Sequence, residues 1–430
     1  MVPRACRWCA GSAGERGDLH SDPGAIGPAP PAWATAGRRP VGRSPRRRGG
    51  RSVTNTALRV LLDATAIPAD RGGVGRYVEE LLHGLVRQGA DLVVVCQARD
   101  VERMRCMLPG VEVVGAPTSV ERRIVRLIWE QIALPALARR VGAQVLHSPH
   151  YTTPVLSRIP SVVTLHDATF FTHPDLHAPT KRRFFQAWTR WAVRHANALV
   201  VPSLSTRDAV IAHAGGRPES FHVAYHGVDT AVFRPVDGPE RARVAHDLGL
   251  GGQPYIAFLG TLEPRKNVPA LIRGWVRACR QLPEPPALVL AGGPGWDGAV
   301  EPAVAAVPAD LRLVRAGYLP LGDLAGYLSG ALIVAYPSVG EGFGLPVLEA
   351  MACGATVLTT RETSLPEVGG DAVAYTGLSD SEIERELLDL VNDAPRRRAL
   401  GVAARARAEE FTWDEAAARH LAAYRAAVRG

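Results

Sequence analysis

The 430-residue sequence has no uninterrupted apolar run of ~18 residues or more, so no segment of it reads as a membrane-spanning helix. Its N-terminus has no apolar core of the secretory kind, and the expectation is an intracellular protein. Cysteine is scarce: Cys6, Cys9, Cys96, Cys106, Cys279 and Cys353 are scattered. Cys6-x-x-Cys9 has no second Cys or His pair at zinc-site spacing, which leaves no metal motif there. No Asp-x-Asp tripeptide occurs, so a metal-held diphosphate is not suggested. No G-x-G-x-x-G with a distal acid follows the first strand, which disfavours a nicotinamide dehydrogenase. No internal repeat is visible.

Basic charge is also missing where it would matter for nucleic acid. The formal net charge is +8, but ten arginines against three acids in residues 1–57 supply seven of those charges. The remaining 373 residues are nearly neutral, so the basicity belongs to a terminal segment and not to a folded binding face. Residues 1–57 are rich in Gly, Pro, Ala and Arg without period, a composition that cannot bury enough apolar surface to order itself. They read as a disordered basic tail or as a mis-called start ahead of Val53.

What is present, from Leu58 onward, is an alternation of strand-like and helix-like runs. Short continuous apolar runs at Leu58–Leu62, Leu92–Cys96, Val145–His147, Val162–His166, Ala198–Pro202 and His222–Tyr225 suit strands covered on both faces. A second series follows at Tyr255–Gly260, Leu288–Ala291, Leu332–Ala335 and Thr356–Thr359. Repeated β–α alternation predicts parallel sheets with right-handed crossovers, the doubly wound α/β class. The turn-rich stretch Phe233–Pro239 breaks the alternation once and reads as a hinge. The expected organisation is one domain over 58–230, a second over 236–410, and a C-terminal helix over 411–430 that could pack on either.

Four segments carry candidate chemistry. Asp70-Arg-Gly-Gly-Val-Gly-Arg-Tyr77 opens the first helix, and Gly73, Gly75 and Arg76 there could bring backbone amides close to a phosphate or an acceptor; a tight strand-to-helix turn would look the same. Gly260-Thr-Leu-Glu-Pro-Arg-Lys-Asn267 follows the first strand of the second domain, at the sheet edge where ligands bind in such folds. Adjacent Arg265 and Lys266 could neutralise a diphosphate, or form a solvated basic turn. Glu341-Gly342-Phe343-Gly344-Leu345 leads into a helix that Pro346 suits at its start, with Glu349 in its first turns. Two carboxylates beside a positively polarised helix start make sense as acceptors of sugar and ribose hydroxyls. His166-Asp167 closes the strand Val162–His166, where a histidine faces the cleft or is simply a satisfied structural residue.

Together these segments resemble the large family-four group of glycosyltransferases, which have the GT-B fold of two Rossmann-like domains facing a central cleft. The most specific resemblance is Glu341-x7-Glu349 within Glu-Gly-Phe-Gly-Leu-Pro-x-Leu-Glu-Ala-Met-Ala-Cys-Gly (341–354). Thr-Leu-His-Asp (164–167), Pro-Ser-Leu-Ser-Thr-Arg (202–207), His-Gly-Val-Asp (226–229) and residues 260–267 are similar to its other landmarks. The resemblance implies a retaining transfer of a hexose, with mannose favoured, from a nucleotide diphosphate sugar to a glycan or lipid-linked acceptor. It implies that Arg265 and Lys266 hold the diphosphate, that Glu341 and His166 act at the transferred sugar, and that Glu349 holds the ribose, with 342–345 supplying amides. No cofactor, metal or nucleic acid is expected. A nucleotide-sugar epimerase on the same scaffold and a non-catalytic sugar-binding module are the alternatives. The basic amphipathic stretches Glu121–Trp129 and Lys181–Arg194 raise a further expectation, peripheral contact with the inner face of the cell membrane; packing of their apolar sides on the sheet is the other reading.

Overall fold

The computed structural model describes residues 58–68 and 72–429. The segment 1–57, with Cys6-x-x-Cys9, and Asp70 and Arg71 lie outside the described residues. The first sheet is built from β1 (Arg59–Asp63), β2 (Asp91–Gln97), β3 (Glu112–Ala116), β4 (Val145–Ser148), β5 (Ser161–Thr164), β6 (Ala198–Val201) and β7 (Phe221–Val223). The second is built from β8 (Tyr255–Leu259), β9 (Ala287–Ala291), β10 (Leu313–Gly317), β11 (Ile333–Tyr336), β12 (Val357–Thr360) and β13 (Ala374–Thr376). The orders are β3-β2-β1-β4-β5-β6-β7 and β10-β9-β8-β11-β12-β13. Each pairing is parallel, with Leu61 of β1 opposite Val93 on one side and Leu146 on the other.

Both orders are doubly wound. The chain runs outward from β1 in one direction, returns, and runs outward in the other, and β8 repeats the pattern. The direction switches between β1 and β4 and between β8 and β11, and ligands of open α/β sheets bind beyond the strand ends at such points. Central strands are buried throughout, as their continuous apolar runs require. Strands β3, β10 and β13 had no apolar signature in the sequence. All three are sheet edges or next to nothing on one side, and β3 and β10 are partly exposed along their length.

Each sheet has its own core. Tyr77, Val78, Leu81, Leu82 and Leu85 of the helix Gly72–Arg87 pack on Val60, Leu62 and Val94 of the first sheet. Trp275, Phe258, Leu288, Val334 and Leu348 centre the second. The C-terminal helix Trp413–Arg429 crosses back to the first sheet. A β-carbon on Gly84 would come within 2.6 Å of the Trp413 carbonyl oxygen, so the two helices touch there backbone to backbone. Hydrogen bonds from Tyr77 to His420 (2.8 Å) and between Tyr424 and His147 (2.9 Å) fix the same helix in the buried layer. In the helix Pro179–His195 the aromatic side chains turn toward the protein: Phe185 stacks on Phe170 at 4.5 Å, and Phe184, Trp188 and Trp191 are half-buried.

Candidate functional site

Strand β8 ends at Leu259, and the chain then makes a tight turn, Pro264–Lys266, closed by Asn267 at φ 56° and ψ 32°. Asparagine tolerates that left-handed conformation better than most residues. The turn lays Arg265 and Lys266 over the carboxyl edge of the second sheet. The Val339 amide donates to the Arg265 carbonyl at 2.8 Å, with Ser338 Oγ 2.9 Å from the same oxygen, tying the turn to the loop that follows β11.

That loop carries Glu341, whose carboxylate is buried among donors. Lys266 Nζ (2.6 Å), Ser338 Oγ (2.7 Å) and Tyr336 OH (3.0 Å) all reach Oε1, and Arg265 lies 2.5 Å from Oε2. Lys266 also donates to the Tyr336 hydroxyl. With three donors on Oε1 and one on Oε2, the carboxylate has acceptor capacity left only on the Arg265 side. The loop continues through Gly342, Phe343 and Gly344 into the helix Leu345–Ala352. Gly344 has φ +105°, which a side chain would strain, and a β-carbon on Gly342 would collide with the His166 carbonyl of the other lobe. Phe343 is buried against the ring of His226 at 5.0 Å.

Glu349, in the same helix, is buried and paired with Arg76, which comes from the first turn of the helix Gly72–Arg87 on the opposite lobe. His166 donates through Nε2–H to the Pro149 carbonyl at 2.6 Å, and its ring meets Tyr77 edge-on at 4.9 Å. These groups face one cleft of about 360 Å³, a size suited to a small-molecule site. Gly73, Arg76 and His166 line it from one lobe; Arg265, Lys266, Glu341, Glu349 and residues 342–345 line it from the other. Gly75 is not among the lining residues and is buried in the first turn of its helix.

The lobes are joined beside the cleft by the 202–207 segment and by Glu367. Ser203 and Thr206 hydroxyls both donate to the Gly342 carbonyl, at 2.7 and 3.1 Å. Glu367 accepts from the amides of Leu204 (2.8 Å) and Ser205 (2.7 Å) and from Tyr225 OH (2.9 Å). It thereby sits at the start of the helix Leu204–Ala214, where a carboxylate is favoured. The 202–207 landmark pointed to this corner, but nothing in the sequence around Glu367 singled it out.

Two family models match, one described as Glycosyltransferase Family 4 over residues 71–232 and one described as Glycosyl transferases group 1 over residues 243–407. The O-antigen chain mannosyltransferase B of Escherichia coli is 31% identical over 288 residues, 65% of this chain and 74% of the relative. The chain belongs to the family-four, group-1 glycosyltransferases. An alpha-maltose-1-phosphate synthase of Mycolicibacterium smegmatis is 29% identical over 83% of this chain and 96% of its own length. Among solved structures, Anabaena HepE in complex with UDP-glucose superposes with a TM-score of 0.68 at 18% identity, covering 85% of this chain and 98% of that one. WaaG, a glycosyltransferase of lipopolysaccharide biosynthesis, gives 0.65 at 15% identity, over 85% and 98%. The two facing parallel-sheet lobes are therefore the GT-B fold.

The electrostatics of this glycosyltransferase follow from burial and neighbours. Burial pushes the Glu341 carboxyl up, but Arg265 and Lys266 outweigh it and hold the group at about 2. Lys266 is pushed down to about 8, by burial first and Arg265 second, with Glu341 opposing. Burial raises Glu349 against the pull of Arg76. Burial lowers His166 despite the Pro149 carbonyl and Asp167. At neutral pH the site thus holds three cations (Arg76, Arg265 and Lys266), an ionised Glu341 and a neutral histidine. Among the described residues, no cluster of His, Cys, Asp or Glu is arranged to hold a metal, and no helix is long and apolar enough to cross a membrane.

Proposed function

We propose that the cleft transfers a hexose from a nucleoside diphosphate donor to an acceptor hydroxyl with retention of configuration, that the hexose is mannose carried on GDP, and that the acceptor is a glycan or lipid-linked glycan of polysaccharide synthesis on the cytoplasmic side. The observation that carries the reading is the convergence of Arg265, Lys266 and Glu341 beyond the ends of β8 and β11, opposite His166. The relative that is a mannosyltransferase supports the choice of hexose.

In the reaction the bond between the sugar anomeric carbon and the diphosphate oxygen breaks, and a bond from the acceptor oxygen to that carbon forms on the same face. The acceptor proton passes to the departing diphosphate. Arg265, Lys266 and the backbone amides of residues 342–345 ahead of the helix Leu345–Ala352 stabilise the charge that grows on the leaving group; preorganised donors of this kind contribute ~2.7–4 kcal/mol each. These groups supply the positive charge, and the transfer is proposed to need no metal. Neutral His166, with Nε2–H given to Pro149, keeps Nδ1 as an acceptor for a sugar hydroxyl. Glu341 positions the sugar through Oε2, and Glu349 takes the ribose hydroxyls once Arg76 yields.

A thermal-shift panel of nucleoside diphosphates and their sugars tests the donor. GDP at a hundred times its dissociation constant is expected to add ~2.7 kcal/mol of stability, and stabilisation by another base instead would overturn the choice of GDP. Labelled donor followed by NMR of the product tests retention. Full turnover in excess chelator is expected, and loss that added metal reverses would contradict the metal-free mechanism.

A further inference from the structure

The helix Arg123–Arg140 carries isoleucines at positions 124, 128 and 132, spaced by four and so aligned on one face. They are not core. Ile124 is 75% exposed, Ile128 55% and Ile132 72%, and beside them Val155 is 42% and Leu156 83% exposed. The two segments are joined: the Gln131 side chain accepts from the Val155 amide (2.8 Å) and donates to the Thr153 carbonyl (3.2 Å), while Thr152 donates to Glu130 (2.8 Å). The five apolar side chains therefore stand exposed on two joined segments, here called the ridge. Exposed Arg122, Arg123 and Arg158 stand at its rim, with Glu121 the carboxylate beside them.

Both segments of the ridge leave the first sheet on the edge that faces the cleft. The helix Arg123–Arg140 follows the carboxyl end of β3, and residues 149–158 follow the carboxyl end of β4, so both leave the sheet on its ligand-binding edge. Pro149, seven residues before Leu156, accepts the hydrogen bond of His166 in the cleft. The helix Pro179–His195, also basic and aromatic in sequence, has its rings packed inward and offers no such ridge.

We propose that this ridge seats the N-terminal lobe on an anionic lipid bilayer, with Ile124, Ile128, Ile132, Val155 and Leu156 entering the acyl boundary and Arg122, Arg123 and Arg158 meeting lipid phosphates. The inference rests on the reading of the acceptor as lipid-linked, and it states how such an acceptor is presented: the bilayer that carries it lies against the lip of the cleft beside His166. An exposed apolar patch marks an interaction surface, and branched apolar side chains rimmed by arginine are the chemistry of an interfacial helix on an anionic membrane.

The test is co-sedimentation of the full chain with vesicles of equal parts phosphatidylglycerol and phosphatidylcholine. Wild type is expected to bind at low salt and less at high salt. The Ile124→Glu, Ile128→Glu, Ile132→Glu triple variant is expected to partition roughly tenfold less or weaker still, although it keeps residues 1–57. The Arg122→Ala, Arg123→Ala, Arg158→Ala variant should bind less and lose salt dependence. Unchanged binding of the triple variant, or no binding of wild type, overturns the proposal. So does a wild-type dimer that the triple variant abolishes in sedimentation velocity, which would make a second copy the occupant. Nucleoside diphosphate binding, read by thermal shift in the same variants, should be unaltered; this confirms their fold and separates failure of the membrane face from failure of the donor site.

Discussion

Glu341 gathers Lys266, Arg265, Tyr336 and Ser338 around one buried carboxylate. A buried charge is tolerable only when so partnered, and removing either side leaves the other uncompensated. Lys266→Ala and Glu341→Ala are each expected to lower turnover about a hundredfold or more, measured with donor and acceptor at saturation; near wild-type rates in both would remove the assignment. Lys266 also predicts a pH effect. Its folded pKa of about 8 lies below the ordinary lysine value, so the folded state holds the proton less tightly than the unfolded chain. The lysine's contribution to stability therefore rises with pH above about 8, toward the ordinary value. Affinity for a nucleoside diphosphate should move the opposite way, falling as the pH rises through about 8, and Lys266→Ala should flatten that limb of the binding curve. The residues of this cluster on the 260–267 and 341–349 motifs were legible in the sequence because each lies a fixed few positions beyond an apolar strand. Tyr336 and Ser338 were not, since a tyrosine and a serine at a strand end carry no signal until the fold sets them beside Glu341.

At the scale of elements, the loops matter more than the strands they follow. Gly342 is one point where the two lobes touch, backbone against the His166 carbonyl. Gly342→Ala should push the lobes apart and lower kcat/KM by up to roughly a hundredfold, as a misplacement of about 1 Å does elsewhere, with the radius of gyration in solution scattering increased; an unchanged kcat/KM would mean that this contact is not needed for the reactive geometry. Glu367→Ala should leave two helix-start amides and the Tyr225 hydroxyl without their acceptor. The expected loss is about 1–3 kcal/mol in urea unfolding. The central strands were legible because parallel strands covered on both faces are unbroken apolar runs. Strands β3, β10 and β13 escaped for the converse reason: Glu112 of β3 and Arg315 of β10 sit on partly exposed edges, and β13 is three residues long.

On the scale of the whole molecule, the chain's two doubly wound sheets each place a switch point on one side of a single cleft, and the C-terminal helix returns to brace the first lobe. The alternation of β and α runs foretold both sheets, and the turn-rich stretch 233–239 lies between β7 of the first and β8 of the second. Where the last helix packs was open in the sequence, since its apolar stripe fits either lobe; the small contact at Gly84 and the buried hydroxyl of Tyr77 decide it. The ion pair of Arg76 with Glu349 across the lobes was also beyond the sequence, because the partners are 273 positions apart.

The central claim is that Lys266 and its neighbours grip a diphosphate between the lobes. Calorimetric titration of wild type and Lys266→Ala with GDP, UDP and ADP measures this most directly. The account predicts that GDP binds wild type one to one and binds the variant at least ~tenfold more weakly, a loss of about 1.4 kcal/mol. Equal affinity of the two proteins, or no binding of any of the three nucleotides to wild type, would contradict it.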